Sequence, residues 1–164
     1  MHPNTATRQV PLWVSPATGS TAANEPFLSQ AVEQIDRVIE EAGEGGRLRA
    51  SRIVLVGFSQ GACLAVEYAL QRPGHVGAII VFTGALIGPP DTVWPASPGM
   101  LAGLQVLLTG SDADEWITQE QTRHTAAVLA DLGADVRLRI YHGRPHIVSE
   151  PELAEARELL TSLL

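Results

Sequence analysis

The chain has 164 residues and a formal net charge of -7, with no basic run to neutralise phosphates, which argues against nucleic acid and against an anionic membrane surface as partners. Hydrophobic residues make up 45% of it, enough to bury a sizeable core and too many for a disordered chain. Its one cysteine, Cys63, excludes an intramolecular disulfide, no Cys/His spacing suits a metal, and no apolar run is long enough to span a bilayer.

The length suits one domain over 1–164, with an irregular N-terminal segment at 1–23. That segment lacks the charged start and apolar stretch of a signal peptide, so a cytoplasmic location is the default expectation. Residues 9–14 read as a short edge strand or, given Pro11, an irregular segment, and 15–23, rich in Ser, Thr, Gly and Ala, as loop. Asn24 suits an N-cap before Glu25 and Pro26. Leu28, Ala31, Val32, Ile35, Val38, Ile39 and Ala42 then recur at helical spacing up to Gly43-Glu44-Gly45-Gly46.

Residues 53–58 form an unbroken apolar run, the pattern of a parallel strand covered on both faces. A helix follows to about Arg72 and stops at Pro73-Gly74. Residues 76–82 are a second apolar strand, and 83–103 a loop broken by Pro89, Pro90, Pro95 and Pro98. A third strand at 104–109 leads into a polar turn at 110–115 and a helix at 118–132. The fourth strand, 135–141, alternates Val136, Leu138 and Ile140 with Arg137, Arg139 and Tyr141, as a half-exposed edge strand does. After a loop at 142–148, Ser149 and Glu152 form a capping box that opens the last helix. Strands alternating with helices predict an α/β fold, a three-layer α/β/α arrangement on a mainly parallel sheet.

Ligands of such sheets bind at the carboxyl ends of the strands, and three of the four ends carry reactive side chains. The first is Gly57-Phe58-Ser59-Gln60-Gly61, the G-x-S-x-G pattern of a nucleophile elbow between a strand and a helix. Small neighbours on both sides of Ser59 let strand and helix pass closely at a strained apex. Asp112 follows the third strand and His146 the fourth, so the chain order is Ser, Asp, His. A serine hydroxyl needs a base, imidazole is suited to that task, and a carboxylate fixes the imidazole tautomer. Asp112 is preferred to Asp114 because it lies nearer the strand end, although either suits an ordinary turn. His146 is preferred to His142, which follows the strand too directly to swing toward Ser59. Cys63, one turn into the elbow helix, is expected to pack in the core.

Gly57-Phe58-Ser59-Gln60-Gly61-Ala62, Thr83-Gly84-Ala85-Leu86, Gly110-Ser111-Asp112, Gly133-Ala134-Asp135-Val136 and His146 followed by Glu152-Leu153 together resemble the phospholipase/carboxylesterase family of α/β-hydrolases, which includes acyl-protein thioesterases. The resemblance implies a cofactor-free serine esterase acting on short acyl esters or thioesters. Ser59 would be its nucleophile, His146 the base, Asp112 the orienter and the Gln60 backbone N–H an oxyanion donor. Phe58, Leu86, Trp116 and Ile147 are the candidates for contact with the substrate, with 83–103 as a lid.

The family opens with strands and a His-Gly loop that supplies a second oxyanion donor, and no His-Gly pair precedes Ser59. The reading is therefore a truncated α/β-hydrolase fold, with Trp13, a side chain of 83–103 or a partner chain as substitute donors. A strand left without its neighbour invites pairing, so a homodimer covering that edge is expected. A catalytically weak remnant that binds without turnover is the reading from another class.

Overall fold

The computed structural model describes residues 21–42, 49–89, 92, 94 and 97–163. The strand expected at 9–14, Trp13 and the helix end at 43–46 lie outside the described residues.

A 3-10 turn, Thr21–Asn24, precedes helix α1, Phe27–Ala42. Asn24, itself buried, thus closes this turn instead of capping α1. Pro26 explains the shift: the residue before a proline is held out of the helical region, so the helix cannot start until Glu25 is passed. The carbonyl of Pro26 accepts the N–H of Gln30 at 3.1 Å, and the Glu25 carboxylate accepts that of Ser29 at 3.3 Å.

Strand β1, Val54–Phe58, runs into helix α2, Gln60–Gln71, and β2, Ala78–Phe82, follows. Strand β3, Gln105–Ser111, helix α3, Gln119–Asp131, strand β4, Asp135–Tyr141, and helix α4, Glu150–Ser162, complete the order. The four strands are parallel and lie side by side in chain order, with Phe58 beside Phe82, Phe82 beside Thr109 and Ser111 beside Tyr141. Helices α1, α2 and α3 cover one face, where Leu28, Val32, Val66 and Leu129 bury against Ile79, Val81, Val106 and Leu108. Helix α4 covers the other, where Ala156 and Leu159 meet Ala78, Ile80, Phe82 and Leu107. Three layers result, as the alternating pattern predicts.

Strand β1 departs from its expectation. Its apolar run suits burial on both faces, yet Val56 is 58% exposed and Phe58 43%. Among the described residues, α4 is the helix on that face, and it packs over β2 and β3 and leaves Val56 and Phe58 of β1 exposed. Among the described residues β1 pairs only with β2 and is an edge strand. Strand β4 is the other edge, and its outward Arg139 pairs with Glu155 of α4 at 2.8 Å. Helix α3 is opened by Thr118 and Gln121, whose side chains each accept the other's backbone N–H. No described helix is long and apolar enough to cross a membrane.

Candidate active site

Ser59 stands between the last residue of β1 and the first of α2, with φ 53° and ψ -119°. A side chain in this region costs on the order of 1–3 kcal/mol, which the surroundings must sustain. The Ser59 N–H donates to the Phe82 carbonyl at 3.0 Å, and its own carbonyl accepts from Ala62 at 3.0 Å and Cys63 at 3.1 Å. The apex is thus tied to β2 on one side and to the first turn of α2 on the other.

Of the two flanking glycines, only Gly57 is required by close approach. A Cβ there would lie 2.2 Å from the Gly61 carbonyl oxygen, whereas a Cβ on Gly61 meets no described atom within 4 Å. The strand and helix pass closest at the backbone of Gly61, so it is the side chain opposite that must be missing. Gly57→Ala is expected to lower stability by about 2 kcal/mol or more through overpacking. Gly61→Ala, in a helical position, should raise it by up to ~1 kcal/mol; thermal unfolding of both variants checks the difference.

His146 reaches Ser59 from the loop after β4. Its Nε2 lies 2.8 Å from Ser59 Oγ, and its Nδ1 lies 2.9 Å from both oxygens of Asp114. A carboxylate only accepts, so Nδ1 carries the proton and Nε2 is left to accept the serine hydroxyl's. Asp114 is fully buried and His146 nearly so. Burial alone would push the Asp114 carboxyl up. The N–H groups of Ile117 and Trp116, at 2.9 and 2.8 Å, together with His146, outweigh it and hold the group below the usual carboxylate range. The arrangement can move a proton from a serine hydroxyl onto an imidazole whose far side faces a fixed negative charge.

The carboxylate on His146 is therefore Asp114, and Asp112 is elsewhere. Asp112 Oδ2 lies 2.5 Å from Nδ1 of His142, and Oδ1 accepts the Gly143 N–H at 2.8 Å. The reason lies in the length of β3. It continues past 109 to Ser111, paired with Tyr141, so Asp112 directly follows the last rung and lies next to His142. Its N–H accordingly bonds the Tyr141 carbonyl at 3.4 Å. Asp114 comes two residues further on, where it accepts the hydroxyl of Thr83, the residue after β2. His142 is almost wholly exposed and stays with Asp112.

Leu86 departs from expectation as well. It is 5% exposed, packed in the core, and its N–H donates to Thr125 Oγ1 at 3.0 Å. The chain after β2 turns inward over α2, close enough that a Cβ on Gly84 would lie 2.4 Å from that of Ala62. Phe58, Trp116 and Ile147 do reach the surface. The Phe58 ring is 5.1 Å from that of His146, and Trp116 meets it edge-on at 6.4 Å. These three form an apolar rim around the imidazole.

Gln60 is the first residue of α2, where helix N–H groups have no partner within the helix. The start of the 83–103 loop offers no second donor from three of its amides. Thr83 donates to the Thr109 carbonyl, Ala85 to Cys63 Sγ and Leu86 to Thr125. Cys63 is buried, and burial pushes its thiol up to about 11, so it stays protonated. A cavity of about 240 Å³ lined by Ala50, Ser51, Arg72, Gly77, Leu101 and Leu104 lies at the amino ends of the strands, away from Ser59. Among the described residues no three His, Cys, Asp or Glu side chains converge as metal ligands.

The family model described as phospholipase/carboxylesterase matches residues 2–164. A probable carboxylesterase of Oryza sativa subsp. japonica is 27% identical over 150 residues, which cover 91% of this chain and 63% of that protein. The chain thus spans about 63% of the length of this curated relative. A phospholipase/carboxylesterase from Dyadobacter fermentans aligns with a TM-score of 0.78 at 27% identity, over 91% of this chain and 71% of that one. The Bacillus cereus carboxylesterase, 18% identical, shares the fold with a TM-score of 0.75 over 93% of this chain and 68% of its own.

Proposed function

The chain belongs to the phospholipase/carboxylesterase family, and on that premise we propose that it is a serine carboxylesterase that hydrolyses short-chain acyl esters through an acyl-enzyme. The observation that carries this reading is the continuous contact from Ser59 Oγ to His146 Nε2 at 2.8 Å and from His146 Nδ1 to Asp114 at 2.9 Å.

In this reading Ser59 attacks the ester carbonyl while His146 takes its proton. Asp114 holds the imidazole in the required tautomer and stabilises the imidazolium. The Gln60 backbone N–H, at the positive end of α2, donates to the oxyanion. His146 returns its proton to the leaving alkoxide, then activates the water that releases the acid. Phe58, Trp116 and Ile147 meet the apolar part of a small-molecule ester; no cofactor takes part. All three side chains are exposed, which favours short acyl groups over those that need a deep channel.

The test is a fluorophosphonate probe together with p-nitrophenyl acetate and butyrate. Fast labelling at Ser59 and turnover of both esters are expected, because only an activated serine reacts quickly. A chain that folds but takes up no label is a binding remnant, and the esterase reading falls.

The free side of β1 among the described residues supports a homodimer formed along that strand. Light scattering at micromolar concentration is expected to give about twice the 17.5 kDa chain mass. A clean monomer would remove the dimer.

A further inference from the structure

Behind the Ser59–His146–Asp114 contact lies a buried ionic group that the proposed chemistry does not use. Arg144 is 6% exposed and Glu152 is fully buried. Glu152 accepts the hydroxyls of Thr109 at 2.5 Å and Ser149 at 2.6 Å and the Ser149 N–H at 2.8 Å, and its Oε2 lies 3.2 Å from Arg144 Nε. Capping α4 accounts for the Ser149 bonds. It does not account for a guanidinium drawn into the interior, whose desolvation is expensive and whose pairing is a weak source of stability.

The remaining donors of Arg144 show where it acts. One terminal nitrogen donates to the carbonyls of Pro145 at 2.7 Å and Ile147 at 2.5 Å, the residues on either side of His146. The other donates to Thr83 Oγ1 at 2.7 Å. That oxygen has a single proton, and it goes to Asp114 Oδ2 at 3.1 Å. Thr83 occupies the left-handed region with φ 54°, where a β-branched residue is a genuine outlier. Such strain persists only where the surroundings impose it. Here it turns the hydroxyl between Arg144 and Asp114. With Trp116 and Ile117 donating to Oδ1 and Thr83 to Oδ2, both oxygens of the carboxylate are pinned.

We propose that Arg144, anchored by Glu152, is a positioning residue that fixes both halves of the acid–base pair at once: Asp114 through the Thr83 hydroxyl, and His146 through the backbone carbonyls of its loop. The proposal rests on the reading of Asp114 and His146 as that pair. A planar guanidinium suits the task because its donors diverge in a fixed fork, which an ammonium cannot imitate.

The experiment compares Thr83→Val, Thr83→Ser and Arg144→Lys. Thr83→Val keeps the branched shape and loses the hydroxyl. Its kcat on p-nitrophenyl acetate is expected to fall roughly tenfold to a hundredfold with KM within about twofold, as for a displaced catalytic group. The downfield NMR signal of the His146 Nδ1 proton is expected to broaden with it. Thr83→Ser should recover both readouts. Arg144→Lys should lose both, and it decides the matter if Thr83→Val does not fold. An unchanged kcat and a sharp proton in either lossy variant overturn the proposal. So does a fall in kcat with the proton unaltered, or a Thr83→Ser variant that recovers neither. If the wild type shows no Ser59-dependent turnover, the esterase reading fails, and the His146 proton alone still decides the positioning.

Discussion

Ser59→Ala is expected to lower turnover of p-nitrophenyl acetate by on the order of 10⁶-fold, to the level of the remaining binding and oxyanion contributions. His146→Ala should cost about as much, and the double variant no more than either alone. The reason is that 2.8 Å separates the hydroxyl from the only base that touches it among the described residues. Without the base the serine is a neutral alcohol, and without the serine the base has no proton to take, so the two losses are one loss counted twice. The oxyanion contribution of the Gln60 amide is common to all three variants and does not change the ratio. Measurement of kcat on purified, folded variants checks this, and equal rates for wild type and Ser59→Ala would remove Ser59 from the reaction.

The second large effect separates two carboxylates only two residues apart. Asp114→Asn is expected to reduce kcat by about 10⁴-fold, because an amide facing Nδ1 favours the wrong tautomer of His146. Asp112→Asn should leave kcat within about twofold, since its partner is the exposed His142. The reverse order of losses would put Asp112 back as the orienter. A pH signature accompanies the first variant. Burial disfavours the charge on Asp114, but the N–H donors and His146 prevail, so the folded chain holds this carboxyl below its ordinary value. Its contribution to stability is then present above the ordinary carboxylate range and is lost as pH falls through the lowered folded value. The stability gap between wild type and Asp114→Asn should therefore narrow in that acid window, as read by thermal unfolding across pH.

Much of the site was legible because it is written in local rules. An apolar strand, a small residue, a serine and a helix start lie within ten residues, and their joint geometry follows from backbone sterics. The glycine pattern pointed to close passage of strand and helix, though the structure assigns the need to Gly57 and not to Gly61. His146 was separable from His142 because a residue several positions past a strand can swing, while one directly after it cannot. The same rule, applied to carboxylates, would have chosen Asp114. Nearness to the strand end points to Asp112 instead, because the sequence pattern ends β3 at 109, two residues short of Ser111. Polar Gly110 and Ser111 read as turn, yet they continue the ladder opposite Ile140 and Tyr141.

Arg144 carries no local signal, and Thr83, though part of the Thr83-Gly84-Ala85-Leu86 string, carries none for a contact with Asp114. An arginine in a loop between glycine and proline reads as solvated, and a threonine after a strand reads as a turn residue. Their meaning depends on Glu152, 43 residues from Thr109 and brought beneath the loop only when α4 packs on the sheet. The exposure of Val56 and Phe58 is of the same kind, since an apolar run shows that a strand can be covered, not how many helices arrive to cover it.

The sequence by itself determined the alternation of strands and helices, the elbow at Ser59, the histidine at 146 that meets it and the family, because periodicity, turn sterics and motif spacing act over a few residues. The tertiary structure alone decided which aspartate meets His146, which apolar side chains reach the surface, and which buried charge stands behind the pair. Those outcomes follow from strand register and from which helix covers which face, and both are set by contacts between residues far apart in the chain.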